Sequence, residues 1–214
     1  MATLDSSILN LVGNVTDPTQ TAQQDGSVPP FTSGRQGDQL VTEIHGKAYV
    51  ANYRGKLYEA NVVNVIVPVV ASALVSVFTL YNPVSSGVNM EIVSALCANV
   101  AATTVVNVVG WYYSTAVLTS KGGFATAGTV QSGMVGASPA NKGLFYSAYT
   151  HSGTPVLCDV IGGYGATSNA TTGINYKFYD GQLVLSPGIA MSVAMSTAVQ
   201  TGLAIEARWC EWPV

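Results

Sequence analysis

The chain has 214 residues, of which 48% are hydrophobic and only 9% charged, with a net charge of −3, whereas soluble domains ordinarily carry roughly 25% charged residues. That balance excludes the electrostatic footprint of a nucleic-acid binder, and the length suits one domain with a sizeable core and room for an extended arm. Ten of the nineteen Asp, Glu, Lys and Arg residues fall within residues 1–59, and Lys121 and Lys142 are the only ones between Glu91 and Asp159, so a polar beginning precedes a nearly neutral remainder.

Residues 1–38 are rich in Gln, Thr, Ser, Asp, Pro and Gly, with no sustained periodicity beyond residues 8–12. Such a segment cannot bury enough apolar surface to fold alone and is ordered only where something holds it. It reads as an extended polar N-terminal arm that lies on a neighbouring subunit or partner, with Ile8, Leu9, Leu11, Val12 and Phe31 as its assembly contacts. No basic stretch followed by an apolar core opens the chain, so a signal peptide is not expected.

Residues 39–214 read as a β-sandwich domain. It opens with a short meander in which Leu40, Thr42 and Ile44 alternate with Val41, Glu43 and His45, and a second alternating piece runs over 48–53 before Arg54-Gly55. Between Glu59 and Glu91 there is no charged residue, which raises the possibility of a membrane span of about 20 apolar residues. Pro68 in its middle, the interrupting Asn61, Asn64 and Asn82, and the dominance of Val and Ile favour sheet instead. A second uncharged run, 92–120, has the same texture.

Strands are expected at 62–67, ended by Pro68; at 74–81, ended by Asn-Pro; and at 88–96, entered through the turn Ser85-Ser86-Gly87, the last two forming a hairpin. In 88–96 the alternation places Val88, Met90, Ile92, Ser94 and Leu96 on one face and Asn89, Glu91, Val93 and Ala95 on the other. Trp111, Tyr112 and Tyr113 must alternate in direction, so at least one faces away from the core. Residues 114–142 form a Gly-rich central loop of undetermined role. Further strands are expected at 155–161, 173–179 and 182–185, then in SPGIAMSVAMS and GLAIEARWCEWPV. About ten short strands with regular turns give an all-β protein, a β-sandwich of jelly-roll type with an extended N-terminal arm.

Groups suited to chemistry are few. His45 precedes a Gly in a turn and His151 stands in a Thr-His-Ser-Gly loop, positions that suit solvated or locally hydrogen-bonded rings; no Gly-x-Ser-x-Gly elbow occurs. Cys97, Cys158 and Cys210 are odd in number, at no metal-ligand spacing, and read as buried, reduced thiols. Asp159 and Asp180 lack the acidic loop of a calcium site. No catalytic residue, metal or cofactor is expected, and the chain reads as non-enzymatic. Trp111 to Tyr113, Trp209 and Trp212 could serve a partner or a sugar, with core or interface packing the favoured use.

Four stretches, LVTEIHGKAYVANYRGKLYEAN, FTLYNPVSSGVNMEIV, QLVLSPGIAMSVAM and ARWCEWPV, together resemble the small capsid-associated proteins of tailed bacteriophages that act as head decoration or cement proteins. The resemblance implies a β-sandwich subunit, a homotrimer, bound outside an icosahedral shell at junctions between copies of the major capsid protein, whose contacts it stabilises. It implies a place on the virion surface after assembly in the bacterial host cytoplasm; the charge balance and the sheet-like apolar runs add the expectation of no direct contact with nucleic acid or membrane. The alternative is a phage tail or head-fibre module that binds host surface carbohydrate, and a third reading is a free-standing lectin.

Overall fold

The long uncharged run is sheet. The computed structural model describes residues 48–72, 74–101, 106–114, 125–151, 153–165 and 173–214. The arm, with Ile8, Leu9, Leu11, Val12 and Phe31, and the alternating piece at 40–45, with His45, lie outside the described residues. A short helix, α1 (Tyr49–Tyr53), leads into β1 (Leu57–Val67), β2 (Val75–Ser76), β3 (Thr79–Tyr81), β4 (Val88–Asn99), β5 (Asn107–Tyr113), β6 (Ala125–Ala127) and β7 (Gln131–Ser132). Then come β8 (Leu144–Thr150), β9 (Val156–Tyr164), β10 (Ile174–Phe178), β11 (Val184–Leu185), β12 (Ala190–Met195) and β13 (Gln200–Pro213).

Two antiparallel sheets pack as a β-sandwich. The first runs β10-β4-β13-β1-β7 with β11 beside β4, and the second runs β2-β8-β3-β12-β5-β9 with β6 beside β8. Between them lie Phe78, Leu80, Met90, Ile92, Trp111, Met191, Val193, Met195, Leu203, Ile205 and Trp209, all essentially inaccessible to water. Phe78 centres the aromatic part, 4.8 Å from Phe145 and 6.0 Å from Trp111, and the Trp111 indole N–H donates to Tyr179 Oη at 2.9 Å. No helix among the described residues is long and apolar enough to cross a membrane.

Several elements depart from the sequence reading. Residues 49–53 are helix, not strand: Tyr49 and Tyr53, four apart, are both exposed while Ala51 is buried, and Gly55 at φ 64° ends the turn as a left-handed cap. The pair at 74–81 and 88–96 is not a hairpin, since β3 belongs to the second sheet and β4 to the first. Buried Asn82 makes that crossing possible, because its side-chain amide donates to the carbonyls of Val88 at 2.8 Å and Leu185 at 2.9 Å. The strand expected at 74–81 is broken in two at Val77 and Phe78, and the Gly-rich loop contributes β6 to one sheet and β7 to the other. Strand β8 has no counterpart among the expected strands.

Within β4 the alternation changes phase. Ser94 pairs with Arg208 and Ile92 with Trp209, so Val93 is an extra residue, and a bulge of this kind turns the side chains beyond it over. Met90 and Ile92 point to the core as expected, but beyond the bulge it is Ala95 and Cys97 that do, and Leu96 faces outward.

The middle of the second sheet is buried on both faces. Turned away from the main core are Tyr81, Tyr146, Tyr149 and Ala190 in one cluster, and Tyr112 and Ala194 with Leu74 in another. Tyr112 does leave the core, as alternation requires, yet it remains buried.

Candidate functional site

The groups that a catalytic site would use are tied into the fold. His151, expected in a solvated or locally hydrogen-bonded loop position, is instead 1% exposed and hydrogen-bonds a residue distant in sequence. Its Nε2 lies 2.6 Å from Ser192 Oγ, which in turn lies 2.6 Å from Thr79 Oγ1, and the Tyr149 ring meets it edge-on at 5.1 Å. Burial pulls the imidazole down to about 4, since a charged ring would lose its hydration and Nδ1 has no hydrogen-bond partner to compensate. A Ser–His contact is present, but with Ser192 wholly buried no substrate reaches it.

Glu211, next to the terminal tryptophans, is a structural carboxylate. It is 2% exposed and accepts the backbone N–H groups of Lys142 and Gly143, both at 2.7 Å, and the Trp209 indole N–H at 3.1 Å. These bonds pin the chain at the entrance to β8. Trp209 is core, and Trp212, partly exposed, donates to Glu91 Oε2 at 2.7 Å. Asp159 is held by Lys177 at 2.7 Å, and no group of three His, Cys, Asp or Glu side chains among the described residues could hold a metal ion.

Cys97 and Cys210 are buried and Cys158 is exposed, which corrects the expectation that all three are buried. Two bulges in β9 are responsible, because Ile161 and Cys158 are the residues left without partners on β5; the first enters the core and the second is turned to solvent. Burial pushes the Cys97 and Cys210 thiols up to about 12, with the Glu91 carboxylate adding to the second.

A cleft of about 460 Å³ lies between α1, β1 and the 130–139 segment, lined among others by Asn52, Leu57, Glu59, Gln131 and Arg208. Its one guanidinium is engaged, with Arg208 Nε 2.9 Å from Glu206 Oε1 and 3.3 Å from Glu59 Oε2. It offers no nucleophile with a base beside it.

What the fold does assemble is a surface. Residues 60–72, 95–110, 160–176 and 193–205 contain no charged residue, and the pairing brings their described parts to one end of the sandwich. There Val65 meets Leu203, Leu203 meets Asn99, Asn107 meets Tyr164 and Met195 meets both Val109 and Val69. Polar backbone at this end is closed by a neutral side chain: Asn107 donates to the Ala198 carbonyl and accepts from the Thr197 N–H at 3.2 Å. Val63 and Val106, each 66% exposed, and Ile66, Val100 and Val199 stand out into solvent. Sequence reasoning finds the uncharged runs but not that they converge, because convergence depends on strand order.

A second apolar surface runs along β10. The strand is as expected, and Ile174, Tyr176 and Phe178 face outward, although their alternation alone signals the opposite. Comparison with protein-family models, with curated proteins and with solved structures gives no match to this chain.

Proposed function

We propose that this chain is a structural subunit of a bacteriophage particle, a decoration or cement protein that binds the outer face of the icosahedral capsid and stabilises contacts between major capsid proteins. The observation that carries the reading is the end of the sandwich that bears no charge among the described residues, with its exposed Val63, Ile66, Val100, Val106 and Val199. A surface of this kind docks without stripping water from any ion, and burying each partly exposed aliphatic side chain contributes about 1 kcal/mol. Permanent interfaces have charge-depleted centres of this sort, and a free monomer has no use for one. The tight structural commitments of His151, Glu211 and Asp159 agree with a protein that works by contact rather than by catalysis.

On this reading the subunit is a homotrimer with a jelly-roll type sandwich, sits on the capsid surface after assembly in the bacterial cytoplasm, and needs no cofactor, nucleic acid or membrane. The arm staples it across a neighbour through Ile8, Leu9, Leu11, Val12 and Phe31. The test is co-sedimentation with icosahedral phage capsids assembled from purified major capsid protein of the same source. Val63→Asp with Val106→Asp should leave the circular dichroism spectrum unchanged and weaken binding at least tenfold, and removal of residues 1–38 should weaken it further. Undiminished binding of the folded double variant would overturn the reading.

A further inference from the structure

Strand β10 is inside out. Its sequence, INYKF, alternates apolar and polar residues, and that pattern ordinarily turns the apolar set to the core. Here Ile174, Tyr176 and Phe178 are 60%, 48% and 65% exposed, while Asn175 and Lys177 turn toward the rest of the sandwich. Two contacts impose this direction. Asn175 packs so closely on Gly162 that a β-carbon there would collide with it. Lys177 Nζ reaches across to Asp159, 2.7 and 2.8 Å from the two carboxylate oxygens, and donates to the Val160 carbonyl at 2.9 Å.

We propose that the outward face of β10 is a self-association surface, the place where a second copy of this chain binds; the proposal rests on the reading of the chain as an assembling subunit. Ile174, Tyr176 and Phe178, with Val184 of β11, which stands opposite Glu91, are 60%, 48%, 65% and 50% exposed, and since a large apolar side chain presents roughly 150–250 Å² when fully exposed, they offer on the order of 400 Å² of apolar area between them. An interface of standard size takes about 800 Å² per partner, somewhat more than half of it apolar, so the strip supplies nearly the whole apolar share that one copy must bring.

Its surroundings have the matching anatomy. Leu96 and Ala98 of β4 stand opposite Tyr176 and Ile174 on the same face, and Ala204 of β13 continues the row. Farther out the face ends in the ion-paired group of Glu206, Arg208 and Glu59, which suits a polar rim. Edge-to-edge strand pairing is disfavoured because Lys177 is committed across that edge to β9, which leaves the face as the contact. The Tyr176 and Phe178 rings, 4.7 Å apart, stand at 84° to each other. They therefore form no flat platform for a sugar, and the apolar Leu96, Ala98 and Ala204 beside them offer no hydrogen bonds to hydroxyls. Lys177, the only cation on the strand, is neutralised by Asp159, so the strip also lacks the free basic residues that draw a helix or strand onto an anionic membrane.

Sedimentation equilibrium of the full chain at micromolar concentration tests it. Wild-type protein should sediment at a multiple of 22.2 kDa, and Tyr176→Glu with Phe178→Glu should sediment as a monomer with unchanged circular dichroism. If that variant unfolds, Ile174→Ser with Phe178→Ser is read in its place and should raise the dissociation constant at least tenfold. A monomeric wild type, or folded variants that keep the wild-type mass, would overturn the proposal. Wild-type protein that is monomeric yet binds capsids overturns the self-association surface alone. An oligomer lost in the variants but with no capsid affinity supports this surface and overturns the capsid reading.

Discussion

His151 binds its proton only at the expense of the fold. Its folded value, near 4, lies below the ordinary 6.5, so the unfolded chain takes up the proton first as the pH falls. The stability that His151 provides is therefore full above about pH 6.5 and is lost on acidification toward pH 4, by up to about 3 kcal/mol. Urea denaturation at pH 7 and pH 4.5 should show a larger acid loss for the wild type than for His151→Gln; equal losses would contradict the assignment. The cysteines separate in the same way by position. Cys158 should be alkylated in the native protein, though slowly at neutral pH because partial desolvation by its neighbours and the adjacent Asp159 raise its thiol. Cys97 and Cys210 should react only after denaturation, and native labelling of either would mean the core is not packed as described. Neither the burial of His151 nor the exposure of Cys158 is legible from neighbouring residues, since one comes from a sheet covered on both faces and the other from a bulge.

Strands with one dry face are legible as alternation, and β4 shows where that ends. Its first half keeps the pattern read from Val88 to Ile92, and the extra Val93 then inverts the side chains from Ser94 onward. Strand β8 escapes a sequence reading because Phe145 enters the main core while Tyr146 and Tyr149 pack on the opposite face, so LFYSAYT shows no alternation to detect. The helix at 49–53 is too short for its period to be told from a strand's. In β10 the alternation is real but its direction is set by Asp159 and Gly162, partners distant in sequence. The entrance to β8 gives a prediction at this scale. Glu211→Ala leaves the N–H groups of Lys142, Gly143 and the Trp209 indole without their acceptor, and should cost about 2–4 kcal/mol in urea unfolding. A loss below about 0.5 kcal/mol, the lower end of what one hydrogen bond contributes, would show that water replaces the carboxylate and that the clamp is dispensable.

Across the whole sandwich the uneven distribution of charge becomes a direction. Arg54, Lys56, Glu91, Lys142 and Glu211 gather toward one end, where β1 and β4 begin and β13 finishes, while the opposite end carries no charge among the described residues. The count of charges is plain in the sequence, but their separation in space needs the strand order. The all-β sandwich is legible because Val-rich runs and Gly/Pro turns are local signals; the surfaces are not, because each is assembled from strands far apart in the chain. The central claim is that the neutral end seats on a capsid. Electron cryomicroscopy of capsids assembled with and without this protein tests it most directly: the account predicts added density repeated with the icosahedral symmetry, with Val63, Ile66 and Val106 against the shell. Density confined to a single vertex or a fibre, or symmetric density with the charged end against the shell, would contradict it.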